Sequence, residues 1–192
     1  NDILGVYPGT NTGVTVNATG KFGKAFQYAG SGYTNMGSAS ALRVQTHTIS
    51  LWVNTSGTSI SGLVSNWVWY GRQYYGYDVV MLANGTLEYR LNFNDATSLI
   101  LTSAAINNGA WHNIIATFNG TTAYLYVDNV QADTDGAAAK TIQYHANCAF
   151  HLGDDNETDY PLTGYIDAVY MWNRVVTSGE RAIIQTKPYP FE

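Results

Sequence analysis

Charge is what this chain has least of. Asp, Glu, Lys and Arg make up 12% of its 192 residues, 9 basic against 14 acidic, for a net charge of −5. A nucleic-acid binder presents a basic face, so that partner class is set aside. No apolar run is long enough to cross a bilayer, so membrane insertion is not expected either. Cysteine occurs once, at Cys148, which rules out an internal disulfide and leaves the compartment unmarked by redox evidence. In the apolar run Cys148-Ala149-Phe150 it reads as an inert core thiol. Glutamate is confined to Glu88, Glu157, Glu180 and Glu192, which limits any carboxylate chemistry.

What the chain does have is Gly, Thr, Asn and Tyr, with 45% hydrophobic residues overall. That mixture suits strands joined by many tight turns. The clearest stretch is Trp111–Asn129, in which two β-prone runs flank Asn119-Gly120. A type I′ turn needs positive φ at both central residues, and Asn-Gly supplies it. With the turn there, Ala116 is expected opposite Ala123, Ile114 opposite Leu125 and His112 opposite Val127. The period of two then puts Ile114, Ala116, Ala123, Leu125 and Val127 on an apolar face. His112 is expected as a satisfied core residue of that face. Trp111, Asn113, Thr117, Tyr124, Tyr126 and Asp128 fall on the other face, wetter or covered late.

Further strands are expected around Gly13–Ala18, over Thr46–Asn54, Ile60–Ser65, Gly76–Leu82, Thr86–Phe93, Ser98–Leu101, Ala146–Leu152 and Leu162–Asn173. Asn84-Gly85 marks a second hairpin, and 130–140 reads as a small-residue loop. Thr177 followed by Glu180 is a capping-box signal for one short C-terminal helical turn. Many short strands and almost no helix mean an all-β, two-sheet antiparallel sandwich. One domain over 1–192 is expected, with a core about 13–186 and a tail from 187. The start at Asn1-Asp2 looks excised from something longer.

Gly20–Phe26 (G-K-F-G-K-A-F), Thr48–Thr55 (T-I-S-L-W-V-N-T), Trp111–Asn129 and Gly164–Ile183 (G-Y-I-D-A-V-Y-M-W-N-R-V-V-T-S-G-E-R-A-I) follow one another in an order that resembles laminin-G-like, concanavalin A-like jelly rolls. The likeness is greatest to the bacterial and phage variety and covers about residues 13–186. It implies the jelly-roll fold. It leaves function open, because the fold hosts lectins, carbohydrate-binding modules, adhesion domains and glycanases.

Two stretches stand out for chemistry. Asn66–Tyr77 (N-W-V-W-Y-G-R-Q-Y-Y-G-Y) holds more large rings than two core strands need. Flat rings with a polar rim suit a sugar, whose C–H faces lie on the rings while Arg, Asn and Gln bond its hydroxyls. Trp67, Trp69, Tyr70, Arg72, Tyr74 and Tyr75 are therefore candidate carbohydrate-binding residues on a loop. A strand running through the stretch would instead put Trp67 and Trp69 on one side, packing the core. The other stretch is Gly153–Pro161 (G-D-D-N-E-T-D-Y-P), where Asp154, Asp155, Asn156, Glu157 and Asp159 crowd hard oxygen ligands of the kind calcium prefers. The resemblance adds Asp167 as a metal ligand or as a partner of a neighbouring backbone N–H. A solvated acidic loop is the plainer reading. His47, His112, His145 and His151 show no zinc spacing. Asn17, Asn54, Asn84, Asn119 and Asn156 each open an N-x-S/T triplet, of consequence only in a glycosylating host.

Jelly-roll glycanases need paired carboxylates. The resemblance points to E-x-D-x-x-E on one strand, which Glu88 does not begin and Glu157-Thr158-Asp159 matches only in part. Of the Arg/Glu/Arg and Gln-x-His strands that the resemblance implies for jelly-roll lyases, only Gln143-Tyr144-His145 matches, and loosely. The expectation is a non-catalytic, lectin-like glycan-binding module, an appendage of a larger secreted, surface or phage structural protein, with calcium in a structural role. The alternatives are an adhesion domain that contacts neighbouring protein chains, and a glycanase or lyase.

Overall fold

The computed structural model describes residues 9–136, 138–157 and 160–188. Among them the strands run β1 (Thr10–Gly20), β2 (Gly23–Asn35), β3 (His47–Asn54), β4 (Ser61–Tyr70), β5 (Gln73–Met81), β6 (Thr86–Asn92), β7 (Ser98–Ala105), β8 (Trp111–Phe118), β9 (Thr122–Val127), β10 (Val130–Gly136), β11 (His151–Leu152) and β12 (Thr163–Trp172), followed by helix α1 (Ser178–Ile184). Hydrogen bonding links them in the order β10-β9-β8-β3-β12-β2-β11-β4-β5-β6-β7, with β1 on β2. Every described pairing is antiparallel.

The long strand β2 makes the corner of the sandwich. Phe26–Ala29 pair with β12 in the back sheet, and Thr34 and Asn35 pair with β11 in the front sheet. On the far side Thr102 N donates to Asp133 Oδ2 at 2.9 Å, bringing β7 against β10. The core lies between, where Ile49, Leu51, Val53, Ile114 and Ala116 of the back sheet meet Tyr77, Val79, Met81, Leu87, Tyr89 and Leu91 of the front. His47 is buried in it, 2.7 Å from the Tyr89 hydroxyl, and burial pushes its pKa down to about 3. A neutral ring is the cheaper guest of an apolar interior.

The central hairpin keeps its expected faces but not its expected register. Ala116 pairs with Leu125 and Ile114 with Val127, two residues along β9 from the alternation-based placement. Asn119 does not enter the turn centre. Its side-chain oxygen accepts from Thr121 N (2.9 Å) and Thr122 N (2.7 Å), holding it at the corner so that Gly120-Thr121 turn the chain. A shift of two preserves parity, so Ile114, Ala116, Ala123, Leu125 and Val127 still face the core. His112 is not in the core. It sits at the open end of the hairpin, bonded to Asp128 Oδ2 (2.7 Å) and Asn108 Oδ1 (3.0 Å).

The stretch expected as a small-residue loop contains β10. Asp128 and Asn129 both have positive φ (52° and 65°), and Val127 pairs with Val130 across them. Short polar side chains tolerate that conformation, so Asp-Asn makes a two-residue hairpin turn as Asn-Gly would. Residues 146–150, expected as strand, are irregular, and only His151–Leu152 pair there. Helix α1 forms as expected, with Thr177 Oγ1 accepting from Glu180 N and Glu180 Oε2 accepting from Thr177 N. Cys148 is fully buried, and burial pushes its thiol pKa up.

Candidate functional site

The aromatic stretch is not a loop. β4 continues to Tyr70 and β5 begins at Gln73. Gly71 and Arg72 between them have φ of 58° and 72°, the type I′ pattern, and Tyr70 pairs with Gln73. Trp69 therefore faces Tyr74, Val68 faces Tyr75 and Trp67 faces Gly76. Alternation deals the six candidate residues to two faces and a tip.

On the outer face, Trp67 stacks on Tyr74 at 5.4 Å between ring centroids, and Trp69 meets the same tyrosine at 4.5 Å. Trp67 is 8% exposed, but Trp69 and Tyr74 are 43% and 49% exposed. They form a ledge of rings, its base buried and its lip in water. The two tryptophans share a side, as a strand requires, but that side is the outer surface and not the core. On the inner face Tyr70 stacks on His145 at 4.0 Å and Tyr75 meets the same imidazole at 5.3 Å. Tyr70 and Tyr75 thus clamp the 141–149 segment against the hairpin. Arg72 is exposed at the tip.

The acidic loop lies beside this ledge, which the spacing in sequence did not suggest. Gly153 N donates to Leu63 O, and Glu157 Oε1 accepts from Trp69 N at 3.2 Å. The loop runs back along β4 over the front sheet. Gly62 permits this approach, since a Cβ there would stand 2.5 Å from the Asp154 carbonyl carbon. Beneath the loop, direct cross-strand pairing sets Asn35, His151, Ser65, Asp78, Arg90 and Ile100 in one row across β2, β11, β4, β5, β6 and β7. Alternation missed this row because its members come from six strands.

Its middle members His151, Ser65 and Asp78 are polar and buried, Asn35 and Arg90 are half-buried, and Ile100 at the β7 edge is exposed. Ser65 Oγ, Asp78 Oδ1 and His151 Nε2 have no hydrogen-bond partner among the described residues. Burial pushes Asp78 up to about 7; Arg90, 3.6 Å away, pulls it back, while Asp155 and Glu88 push it further. Arg90 is shared with Glu88, Nε to Oε2 at 2.8 Å. Burial also pushes Asp154 up to about 6 and lowers His151, whose Nδ1 lies 3.1 Å from Asp155 O.

Among the described residues, the candidate calcium ligands do not come together. Asp154 Oδ1 accepts from Asp155 N and Tyr160 N, and Asp155 Oδ1 accepts from Glu157 N. These carboxylates spend oxygens on folding their own loop. Asp167 lies on β12 in the back sheet, where Oδ2 accepts from Phe22 N (2.8 Å) and Oδ1 from Ala168 N (2.7 Å), fixing the β1–β2 turn. Asp159 lies outside the described residues. Among the described residues, no three His, Cys, Asp or Glu side chains converge on a point that could hold a metal ion.

The profile of the concanavalin A-like lectin/glucanase superfamily, laminin-G type, matches residues 28–180. The chain belongs to that superfamily. No curated protein sequence matches it. Among solved structures, this superfamily member is similar to domain 4 of AbnA, an extracellular arabinanase of Geobacillus stearothermophilus solved with arabinotriose, at 18% identity and TM-score 0.69 over 96% of this chain and 91% of that one. It is also similar to the binding domain of botulinum neurotoxin DC solved with SialylT, at 13% identity and TM-score 0.71 over 96% of this chain. The native heptameric SAP-like pentraxin of Limulus polyphemus matches at 13% identity and TM-score 0.55, over 74% of this chain and 70% of that one. The chain spans about half the length of the neurotoxin binding domains it matches, 46% of the serotype G domain and 48% of the DC domain. At such identities the likeness is one of fold.

Proposed function

We propose that the protein is a non-catalytic glycan-recognition module that holds sugar rings on Trp69 and Tyr74, backed by Trp67. The observation that carries this reading is the exposure of Trp69 and Tyr74 side by side on one face of the hairpin, with Tyr74 stacked on the buried Trp67 ring and the Glu157 carboxylate at the edge. Tyr70 is as exposed but lies on the other face, stacked on His145, whereas Trp69 and Tyr74 lie side by side on the outer face, and the C–H face of a sugar buries against such rings at little entropic cost. Two of the similar structures were solved with saccharides, arabinotriose and SialylT, which supports a glycan as the partner. Tyr70 and Tyr75 serve as the hairpin's inner support, and Arg72 stands exposed at the tip.

The carboxylates on the outer face do not favour catalysis. Asp78 and Glu88 share Arg90, and Asp78 is sealed under the loop. The module belongs, on this reading, to a larger secreted, cell-surface or virion protein. Calcium enters as a structural ion of the 153–157 loop, for which the described residues alone do not form a site.

A glycan array read with and without EDTA, with Trp69→Ala and Tyr74→Ala alongside, tests this. Binding lost in both variants is expected. Release of reducing ends from a bound glycan would make it an enzyme. The competing reading, a contact surface for protein chains, predicts no glycan binding and self-association in gel filtration that Trp69→Ala abolishes.

A further inference from the structure

The charges around the ledge restrict what it holds. Glu157 stands at its edge, fixed to the Trp69 amide, and Asp154 and Asp155 precede it in the same loop. Asp78 and Glu88 lie on the same outer face, in register with Ser65 and Val80. Against these carboxylates the basic groups are few and committed. Arg90 is held by Asp78 and Glu88 together, and burial keeps His151 on the neutral side. Arg43 donates to Ala146 O, away from the ledge. Arg72 stands alone at the hairpin tip, beyond the last ring pair.

We infer that the ledge takes glycan chains without anionic groups, built from neutral or amino sugars, and excludes uronic, sialylated and sulfated chains. This rests on the glycan reading above. A carboxylate accepts hydrogen bonds and donates none, so it pairs with a sugar hydroxyl or ammonium and repels a sugar acid. Recognition of an acidic sugar calls for a guanidinium or ammonium free to reach it; here the guanidinium on this face, Arg90, is already neutralised. Glu157 is the specificity-determining residue, because it borders the exposed rings while Asp78 and Asp154 are buried.

The test is calorimetric titration of the full chain with three probes: linear arabinan oligomers, oligogalacturonate and chitosan oligomers, at low and high salt. Arabinan or chitosan oligomers should bind at least tenfold more tightly than oligogalacturonate at low salt. The gap should narrow at high salt, since screening weakens exposed charge repulsion. Glu157→Gln keeps an oxygen for the Trp69 amide and should narrow the gap at least threefold, without weakening the neutral chain to match. Oligogalacturonate bound as tightly as the others overturns the inference and leaves the ledge reading standing. A gap unchanged in Glu157→Gln overturns the role given to that residue. No binding of any probe overturns the ledge reading, and the inference with it.

Discussion

Both outer faces of the sandwich carry aromatic rings spaced two residues apart on a strand, and the two sets meet different ends. On the back sheet, Tyr124 and Tyr126 stack at 6.1 Å on β9, and Tyr170 and Trp172 stack at 5.5 Å on β12. Helix α1 comes down between them. Val176 and Ile184 pack on Ile115 and Tyr126, and the Arg181 guanidinium sits 4.0 Å from the centre of the Tyr126 ring. On the front sheet, Trp67 and Trp69 have the same spacing, but what covers them is an acidic loop that stops at Trp69. A helix with an apolar stripe closes a surface. A loop of carboxylates, bonded to its own backbone, closes the polar row and leaves the rings beyond it open. The same pattern of rings is structural where an apolar element follows it and available for ligand where none does.

The comparison breaks most sharply at α1. Ile184→Ala removes a fully buried side chain from the helix contact and should cost about 3 kcal/mol in chemical denaturation, with glycan affinity unchanged. On the front sheet, Asp78→Asn should act in the opposite sense. The folded protein holds a proton on Asp78 up to about pH 7, while the unfolded carboxyl releases it near 3.8. The native state therefore loses stability as pH rises between those values. The variant should be more stable than the parent by about 4 kcal/mol at pH 8 and equal to it below pH 4, as urea midpoints across pH would show.

Trp69→Ala separates function from stability. Glycan affinity should fall at least tenfold, about 1.4 kcal/mol, while the melting temperature moves little because the ring is half in water. Equal losses of both would place Trp69 with the back-face rings. Thr177→Ala removes the cap of α1 and should cost about 1 kcal/mol, testing whether the helix lid depends on its own start. The smallest effect is expected for Arg72→Gly, which relieves a non-glycine residue at φ 72° and should stabilise the hairpin by roughly 0.5–1 kcal/mol, visible as a small rise in melting temperature.

Much of the sandwich was legible. The faces of β3, β8 and β9 follow from alternation, and the cap of α1 follows from Thr177 and Glu180 three residues apart. Register was less so. At Asn119-Gly120 the asparagine side chain captured two backbone N–H groups and moved the pairing by two residues, a local competition that the dipeptide does not reveal. The hairpin at Asp128-Asn129 was missed because its turn lacks glycine, although two short polar residues adopt positive φ there. At Gly71-Arg72 the aromatic residues hide a two-residue turn, and their pattern alone leaves loop and strand both open where the chain forms a strand pair.

What the sequence determined by itself is whatever depends on near neighbours: strand periodicity, the alternation that puts Trp67 with Trp69, the helix cap, the supply of rings and carboxylates. What only tertiary structure decided is which of these groups meet. Asp167, which resemblance offered as a metal ligand or as a backbone partner, bonds the Phe22 and Ala168 amides in the opposite sheet. Glu157, far from Trp69 in sequence, is bonded to it. The row from His151 through Ser65 and Asp78 to Arg90 exists only because four strands align in register. Long-range pairing is fixed by burying the whole core and satisfying every strand's backbone at once, a condition on the entire chain that no single stretch contains.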